Sequence, residues 1–247
     1  MTFVHHVIAG SAPEGCAAVT ADGRTFATSK ANPHQRQRIS DNVTKLAVIC
    51  DKVVIATTGA TRFGSVAQEL ATYAVHREVT DCAAAGDGEG VAAALSRCVG
   101  TETIVSVTYW FAEAERPEII VINGCERGIG GLAKWRRVKF PPTTPEAQRG
   151  LGHFPLSYGE TATRLLDGVH LPLASYTLNE AVALSRFCVQ VTADLQALSL
   201  CDATVGGQLT TACVTAGADG RGSAKIIEQP QIELKQYGLA ALGTVAA

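Results

Sequence analysis

The apolar positions of the chain follow two spacings, which separate strand-like segments from helix-like ones. Short runs rich in β-branched residues, bounded by turn residues, predict strands. Two pairs of such runs predict tight hairpins: residues 16–21 with 24–29 around Asp22-Gly23, and residues 45–49 with 52–57 around Cys50-Asp51. Four further strands are predicted over residues 102–111, 118–123, 208–215 and 224–228.

Spacings of three and four residues predict helices. Apolar residues recur in this way between Phe63 and Ala74, and a shorter helix is predicted over residues 91–99. The longest helix begins at a capping box, Thr177 with Glu180, and extends to about residue 200. Its predicted buried face is formed by Ala181, Leu184, Cys188, Val191 and Leu195.

The order of these elements favours one fold class. Residues 124–160 contain Gly-rich and Pro-rich stretches and are predicted to be loop. The remaining elements are hairpins and helices without a regular βαβ alternation, which indicates antiparallel sheets covered by helices. We therefore expect a single α+β domain over residues 1–247.

Composition and charge make several functional classes improbable. The formal net charge is −2, and the one short basic cluster, residues 134–139, is typical of a solvated surface, so we expect no nucleic-acid partner. No apolar run approaches the ~20 residues that cross a bilayer, and the N-terminus lacks the basic start of a secretory signal. We expect a cytoplasmic protein with no membrane partner.

The eight cysteines predict neither a metal site nor a disulfide framework. The sequence contains no Cys-x-x-Cys motif, and no histidine stands near a cysteine at metal-ligand spacing. Most of the cysteines lie in apolar segments, where a free thiol behaves as a small hydrophobic group. We therefore expect no bound metal and no cofactor.

Three segments resemble proteasome subunits and their bacterial relative, the threonine protease that works with an ATP-driven unfoldase. Residues 22–31, DGRTFATSKA, are similar to the second strand of that family. Residues 45–59, KLAVICDKVVIATTG, are similar to its next strand pair and the turn glycine that follows. Residues 200–207, LCDATVGG, are similar to the motif that links the long helix to a strand.

The resemblance implies a fold, a chemistry and an assembly. The fold would be the four-layer αββα sandwich of N-terminal-nucleophile (Ntn) hydrolases, whose subunits stack as homo-oligomeric rings and can work with an unfoldase. The first mature residue would supply the nucleophile, and its own α-amine would be the base. Lys45 would match the active-site lysine, Gly59 the oxyanion-hole glycine, and Asp202 the supporting aspartate.

The sequence departs from the family pattern at three positions. An ungapped match puts Ser29 where the family has an aspartate at the end of the second strand, and a hydroxyl cannot supply that charge. Val205 stands where the motif after Asp202 has a serine. Ser157, which precedes Tyr158-Gly159, is a candidate for the family's Ser-Gly pair.

Two residues are candidates for the nucleophile. Cleavage after Gly15 would make residues 1–15 a propeptide and Cys16 the first residue; a hairpin at Asp22-Gly23 would then pair Cys16 with Ser29. Removal of Met1 would instead make Thr2 the first residue. In that case residues 2–9 form the first strand, and Asp22 fills the place of the missing carboxylate.

Three functions follow from these alternatives. The first is a peptidase or amide hydrolase that acts through an acyl-enzyme at Cys16 or Thr2 inside a ring. The second is a proteasome-like scaffold subunit without turnover, in which residues 1–15 are an N-terminal extension. The third is a cysteine-type amidase or acyltransferase that acts on a small molecule.

Overall fold

A computed structural model describes residues 3–11, 14–28, 36–59, 66–140, 144–156, 164, 166, 169–199 and 204–227. Over these residues the fold is mixed α+β, with three antiparallel sheets and five α-helices. The strands are β1 Val4–Ala9, β2 Cys16–Ala21, β3 Thr25–Thr28, β4 Arg36–Ser40, β5 Leu46–Ile49, β6 Val53–Gly59, β7 Thr103–Phe111, β8 Arg116–Arg127, β9 Ala133–Arg137, β10 Gly152–Leu156, β11 Thr210–Thr215 and β12 Ser223–Ile227. The helices are α1 Val66–Ala71, α2 His76–Ala84, α3 Gly88–Ser96, α4 Pro145–Gln148 and α5 Leu178–Ser199.

The first sheet has the strand order β10-β1-β2-β11-β12, which places β2 at its centre. Val4 pairs with Ala21 and Ala9 with Cys16, so the start of β1 lies beside the end of β2. All residues of β1 and β2 are buried, because α5 covers one face of this sheet and the other face meets the second sheet.

The second sheet is a meander with the order β5-β6-β7-β8-β9. The hairpin between β5 and β6 confirms the prediction at Cys50-Asp51, where both residues take left-handed φ angles of 51° and 53°. The apolar faces of α1, α2 and α3 pack against this sheet, with Val66, Val79 and Leu95 among the buried residues. The predicted strands at β7, β8, β11 and β12 are confirmed.

The hairpin predicted at Asp22-Gly23 is wrong. Strand β2 pairs with β1 and β11, whereas β3 pairs with β4 in a separate two-stranded sheet. The reason is burial: Asp22 lies inside the protein, and a Cβ atom at Gly23 would come within 2.6 Å of the Asp41 carbonyl oxygen. The two residues make close tertiary packing rather than a surface turn.

The loop predicted over residues 124–160 is also wrong in part. Strand β8 continues to Arg127, and β9, α4 and β10 follow within this segment. Both β9 and β10 are edge strands, and β10 contains a glycine and a proline. Edge strands tolerate glycine and proline, so these residues did not indicate a loop here.

Helix α5 confirms the predicted long helix but not its whole buried face. Thr177 and Glu180 form the expected reciprocal capping hydrogen bonds. Ala181 and Cys188 are buried as predicted, but Leu195 is 40% exposed, so its assignment to the core is wrong. The inner face instead includes Ser185 and Thr192, whose hydroxyls donate to the carbonyl oxygens of His5 and Cys188.

Candidate active site

A buried ion pair joins the two sheets near the start of β1. Asp22 directly follows β2, and Lys45 directly precedes β5. Lys45 Nζ lies 3.4 Å from Asp22 Oδ1, with side-chain exposures of 6% and 0%. Because removing two charges from water is costly, such a pair needs further hydrogen bonds to be stable.

Backbone N–H groups supply those bonds to Asp22. Phe3 N donates to Oδ1 at 2.8 Å, while Gly206 N and Arg24 N donate to Oδ2 at 3.1 and 3.3 Å. Burial raises the pKa of Asp22, and the Lys45 charge and these N–H groups oppose that rise. Since both oxygens accept from N–H groups and one also faces an ammonium group, the arrangement fits the ionised carboxylate.

Lys45 is held from two directions. Its Nζ donates to the carbonyl oxygen of Arg24, and its own carbonyl oxygen accepts from Thr57 N of β6 at 3.3 Å. Burial lowers the pKa of Lys45, whereas the Asp22 carboxylate opposes that change. The Phe3 amide therefore contacts the Asp22 carboxylate directly, and the Lys45 ammonium group lies 3.4 Å from the same carboxylate oxygen.

Gly59 is the last residue of β6 and lies at the same end of the β5–β6 pair as Lys45. Its φ angle is 100°, and a Cβ atom would lie 2.0 Å from the Glu102 carbonyl oxygen, so only glycine fits there. It lies two residues beyond Thr57, the residue bonded to Lys45, which corresponds to ~7 Å along a strand. Gly59 is exposed, so its backbone is open to solvent.

Cys16 lies at the opposite end of β2 from Asp22. Six residues of strand correspond to ~20 Å, so Cys16 is not part of the Asp22–Lys45 cluster. The thiol is buried between Ala9 and Thr215 of the neighbouring strands, and burial, with a smaller effect from Cys213, raises its pKa to about 11. These surroundings disfavour the thiolate that nucleophilic attack requires.

Several predicted site residues lie outside the described residues: Thr2, Ser29, Ser157 and Asp202. Val205, the position at which the resemblance implies a serine, is fully buried. Its side chain packs in a cluster with Phe3, Cys188 and Val189, next to the Asp22–Lys45 pair.

The sequence reasoning missed the groups that satisfy Asp22. These are the backbone N–H groups of Phe3, Gly206 and Arg24. Two of them are far from Asp22 along the chain, and a backbone donor carries no residue-type signal. The pair Gly206-Gly207 after the long helix was the available hint, because both glycines take positive φ angles.

Two buried histidines on β1 lie between the two ends of the sheet. His6 Nδ1 lies 3.1 Å from the Phe154 carbonyl oxygen, which can only accept, so Nε2 accepts from the Ser106 hydroxyl at 2.9 Å. His5 stacks on His153 with ring centroids 5.4 Å apart. Burial lowers the pKa of His6 to about 4, and it lowers the pKa values of His5 and His153 as well.

Neither a metal centre nor a membrane-spanning helix is found in the described part of the chain. No group of three or more His, Cys, Asp or Glu side chains in those residues could hold a metal ion. None of the described helices has both the length and the apolar character needed to cross a membrane. No protein-family model matches the chain, and no curated protein matches it.

Proposed function

We propose that the chain is an Ntn hydrolase similar to a proteasome subunit, with Thr2 as its nucleophile after removal of Met1. The observation that carries this proposal is the buried Asp22–Lys45 pair at the Phe3 amide. That amide nitrogen belongs to the peptide bond between Thr2 and Phe3. Thr2 is the residue that directly precedes Phe3 in the sequence, and on this ground we assign the ion pair to a Thr2 site.

The packing of the helices supports the four-layer αββα arrangement. Helix α5 covers the first sheet, and α1, α2 and α3 cover the second. Between the sheets lies a core to which both contribute, including Val4 and Val19 of the first sheet and Val54 and Ile119 of the second. This packing supports the layer order helix, sheet, sheet, helices that the resemblance implies.

The proposed reaction uses the two functional groups of Thr2. Its neutral α-amine takes the hydroxyl proton as Oγ attacks the carbonyl carbon of an amide substrate. The tetrahedral intermediate then collapses: the C–N bond breaks, the leaving amine takes the proton, and an ester to Thr2 remains. A water molecule, deprotonated by the same amine, then attacks the ester. The C–Oγ bond breaks, the amine returns the proton to Thr2 Oγ, and the acid is released.

Lys45, Asp22 and Gly59 each have a role in this scheme. The positive charge of Lys45 would lower the pKa of the α-amine and favour its neutral form, whereas the Asp22 carboxylate would offset part of that effect. Asp22 fixes the Phe3 amide at 2.8 Å and stabilises the Lys45 charge. The N–H group of Gly59 would donate to the oxyanion of the intermediate, which is a large contribution to catalysis in such sites.

A scaffold subunit without turnover is the second candidate function. The observation that favours it is Val205, which is apolar and fully buried where the resemblance implies a serine. Both candidates include self-assembly into a ring, and the first also includes a working unfoldase partner.

Hydrolysis of a panel of fluorogenic peptide amides tests the proposal. We compare wild type with Thr2→Ala, Lys45→Ala and Cys16→Ala, and use Thr2→Ser as the control that keeps the hydroxyl. We expect Thr2→Ala to abolish hydrolysis because it removes the nucleophilic hydroxyl. Lys45→Ala should lose ~10²–10⁴-fold in rate because it weakens the general-base system. Cys16→Ala and Thr2→Ser should remain active.

The outcomes separate the candidates. Activity that depends on Cys16 and not on Thr2 would contradict the Thr2 mechanism. No hydrolysis by folded wild type whose intact mass shows loss of Met1 would favour the scaffold function.

A further inference from the structure

The side chain of Arg24 connects three segments around the ion pair. Its Nε lies 2.8 Å from Asp41 Oδ1, in the segment between β4 and β5. Its Nη1 donates to the carbonyl oxygen of Val205 at 3.4 Å. The Arg24 side chain is 17% exposed and that of Asp41 is 34%, so solvent screens this ion pair only in part.

The segment that Arg24 reaches is the one that bonds Asp22. Gly206 N donates to Asp22 Oδ2, and the Gly206 carbonyl oxygen accepts from Gly23 N at 3.1 Å. Gly206 has a φ angle of 149°, and a Cβ atom there would come within 2.8 Å of Arg24 Cζ. The guanidinium group therefore packs directly against the glycine whose N–H group faces Asp22.

Asp41 fixes the same segment from its other side. Its backbone carbonyl oxygen accepts from Gln208 N at 2.7 Å. A Cβ atom at Gly207 would lie 2.3 Å from that oxygen, so the two backbones are in close contact. Arg24 and Asp41 thus hold residues 205–208 between them.

Arg24 also reaches the second member of the ion pair through its backbone, since its carbonyl oxygen accepts from Lys45 Nζ. We propose that Arg24 and Asp41 are positioning residues of the Asp22–Lys45 site. Their ion pair holds the Gly206 N–H group on Asp22 and the Arg24 carbonyl oxygen on Lys45. This inference rests on the proposed function for its catalytic meaning, but its geometric part can be tested without any activity.

Hydrogen–deuterium exchange measured by mass spectrometry gives the geometric test. The variants are Arg24→Gln and Asp41→Asn, and the matched control is Arg38→Gln. Arg38 also faces Asp41, at 3.5 Å, but its side chain is 61% exposed. In the wild type, local opening of residues 204–209 must break the Arg24–Asp41 ion pair. The first two variants lack this pair, so we expect peptides covering these residues to exchange about tenfold faster. Peptides from β2 should keep wild-type exchange in all three.

Steady-state kinetics give the catalytic test. In Arg24→Gln and Asp41→Asn we expect kcat to fall about tenfold with KM within about twofold, because a misplaced base system weakens the transition state rather than substrate binding. Arg24→Lys, which keeps the charge, should recover part of the loss. Arg38→Gln should match wild type.

The results distinguish the inference from the proposed function. If wild type is inactive but Arg24→Gln and Asp41→Asn exchange faster at residues 204–209, the hydrolase function is contradicted and the positioning geometry is supported. Unchanged exchange and unchanged kcat in Asp41→Asn, with an active wild type, would overturn the positioning role. If Arg24→Gln does not fold, Asp41→Asn tests the positioning role alone. The Asp41 side chain is 34% exposed, and the substitution replaces only one carboxylate oxygen with an amide group.

Discussion

The two ends of strand β2 differ in what surrounds them. At the end that contains Asp22, a carboxylate, an ammonium group and three backbone N–H donors meet in a buried cluster. At the end that contains Cys16, a thiol is buried between neighbouring strands, with its pKa raised to about 11. Both ends offered a candidate for the chemistry, and the pairing of β1 with β2 places the polar cluster beside the start of β1.

The largest expected difference between the two ends of β2 is in the free energy of unfolding lost when Asp22 or Cys16 is replaced. Asp22→Ala leaves the Lys45 ammonium buried without its carboxylate, so we expect a loss of ~3–5 kcal/mol in the free energy of unfolding. Cys16→Ala removes one small buried group and should cost about 1 kcal/mol. Denaturant unfolding measures both, and Asp22→Asn is the control that preserves shape. Equal losses at the two ends would contradict the account.

Thiol reactivity should separate Cys16 from the exposed cysteines. With a pKa of about 11, the Cys16 thiolate is a very small fraction of the total at pH 7.5. We expect Cys16 to react with iodoacetamide at least ~100-fold more slowly than the exposed Cys50, as measured by peptide mass spectrometry. If Cys16 were the fastest thiol, a cysteine mechanism would be favoured.

Acidification should lower the free energy of unfolding through His6 of β1, the strand that pairs with β2. The pKa of His6 is lowered to about 4 from 6.5, so the neutral ring stabilises the fold fully above pH 6.5. That contribution is lost as the pH falls from 6.5 towards 4, and at pH 5 the loss is roughly 2 kcal/mol. Denaturant unfolding at pH 7 and pH 5 measures it. His76→Gln, at an exposed position, should behave like wild type; equal stability at both pH values would contradict the burial of His6.

The smallest expected effect concerns the helix behind the Asp22 end. Val189 packs with Phe3 and Val205 there, so Val189→Ala should cost about 2 kcal/mol. Leu195, although apolar, is partly exposed, and Leu195→Ala should cost less than ~1 kcal/mol. Thermal unfolding of the two variants gives the comparison. A larger loss of stability for Leu195→Ala than for Val189→Ala would contradict the exposed position of Leu195 and support the buried face that the sequence pattern predicts.

Local patterns predicted the parts of the fold that local contacts determine. The turn at Cys50-Asp51 and the start of α5 at Thr177 depend on residues within a few positions, and both predictions are confirmed. The interpretation of Asp22-Gly23 failed because the partners of Asp22 include Phe3 and Gly206, which are 19 and 184 positions away. No local pattern contains that information.

Polar residues explain the other errors. The inner face of α5 contains Ser185 and Thr192, whose hydroxyls form hydrogen bonds. Because the prediction used apolar residues only, it left these two out and included the exposed Leu195 instead. Strand β9 has one buried residue, Ala133, and lies at an edge, where alternation is weak. At the candidate site, the sequence identified Lys45 and Gly59 by resemblance, and gave Asp22 a role in one of its two alternatives.

Covalent labelling of the nucleophile tests the central claim most directly. A peptide that carries a vinyl sulfone alkylates hydroxyl and thiol nucleophiles alike, and the labelled residue is located by tandem mass spectrometry. Fragmentation is needed because trypsin first cleaves after Arg24, which leaves Thr2 and Cys16 on one peptide. We predict one label per chain, on Thr2 of a protein that has lost Met1, and no label in Lys45→Ala. A label on Cys16, or on Thr2 to the same extent in Lys45→Ala, would contradict a site built around Asp22 and Lys45.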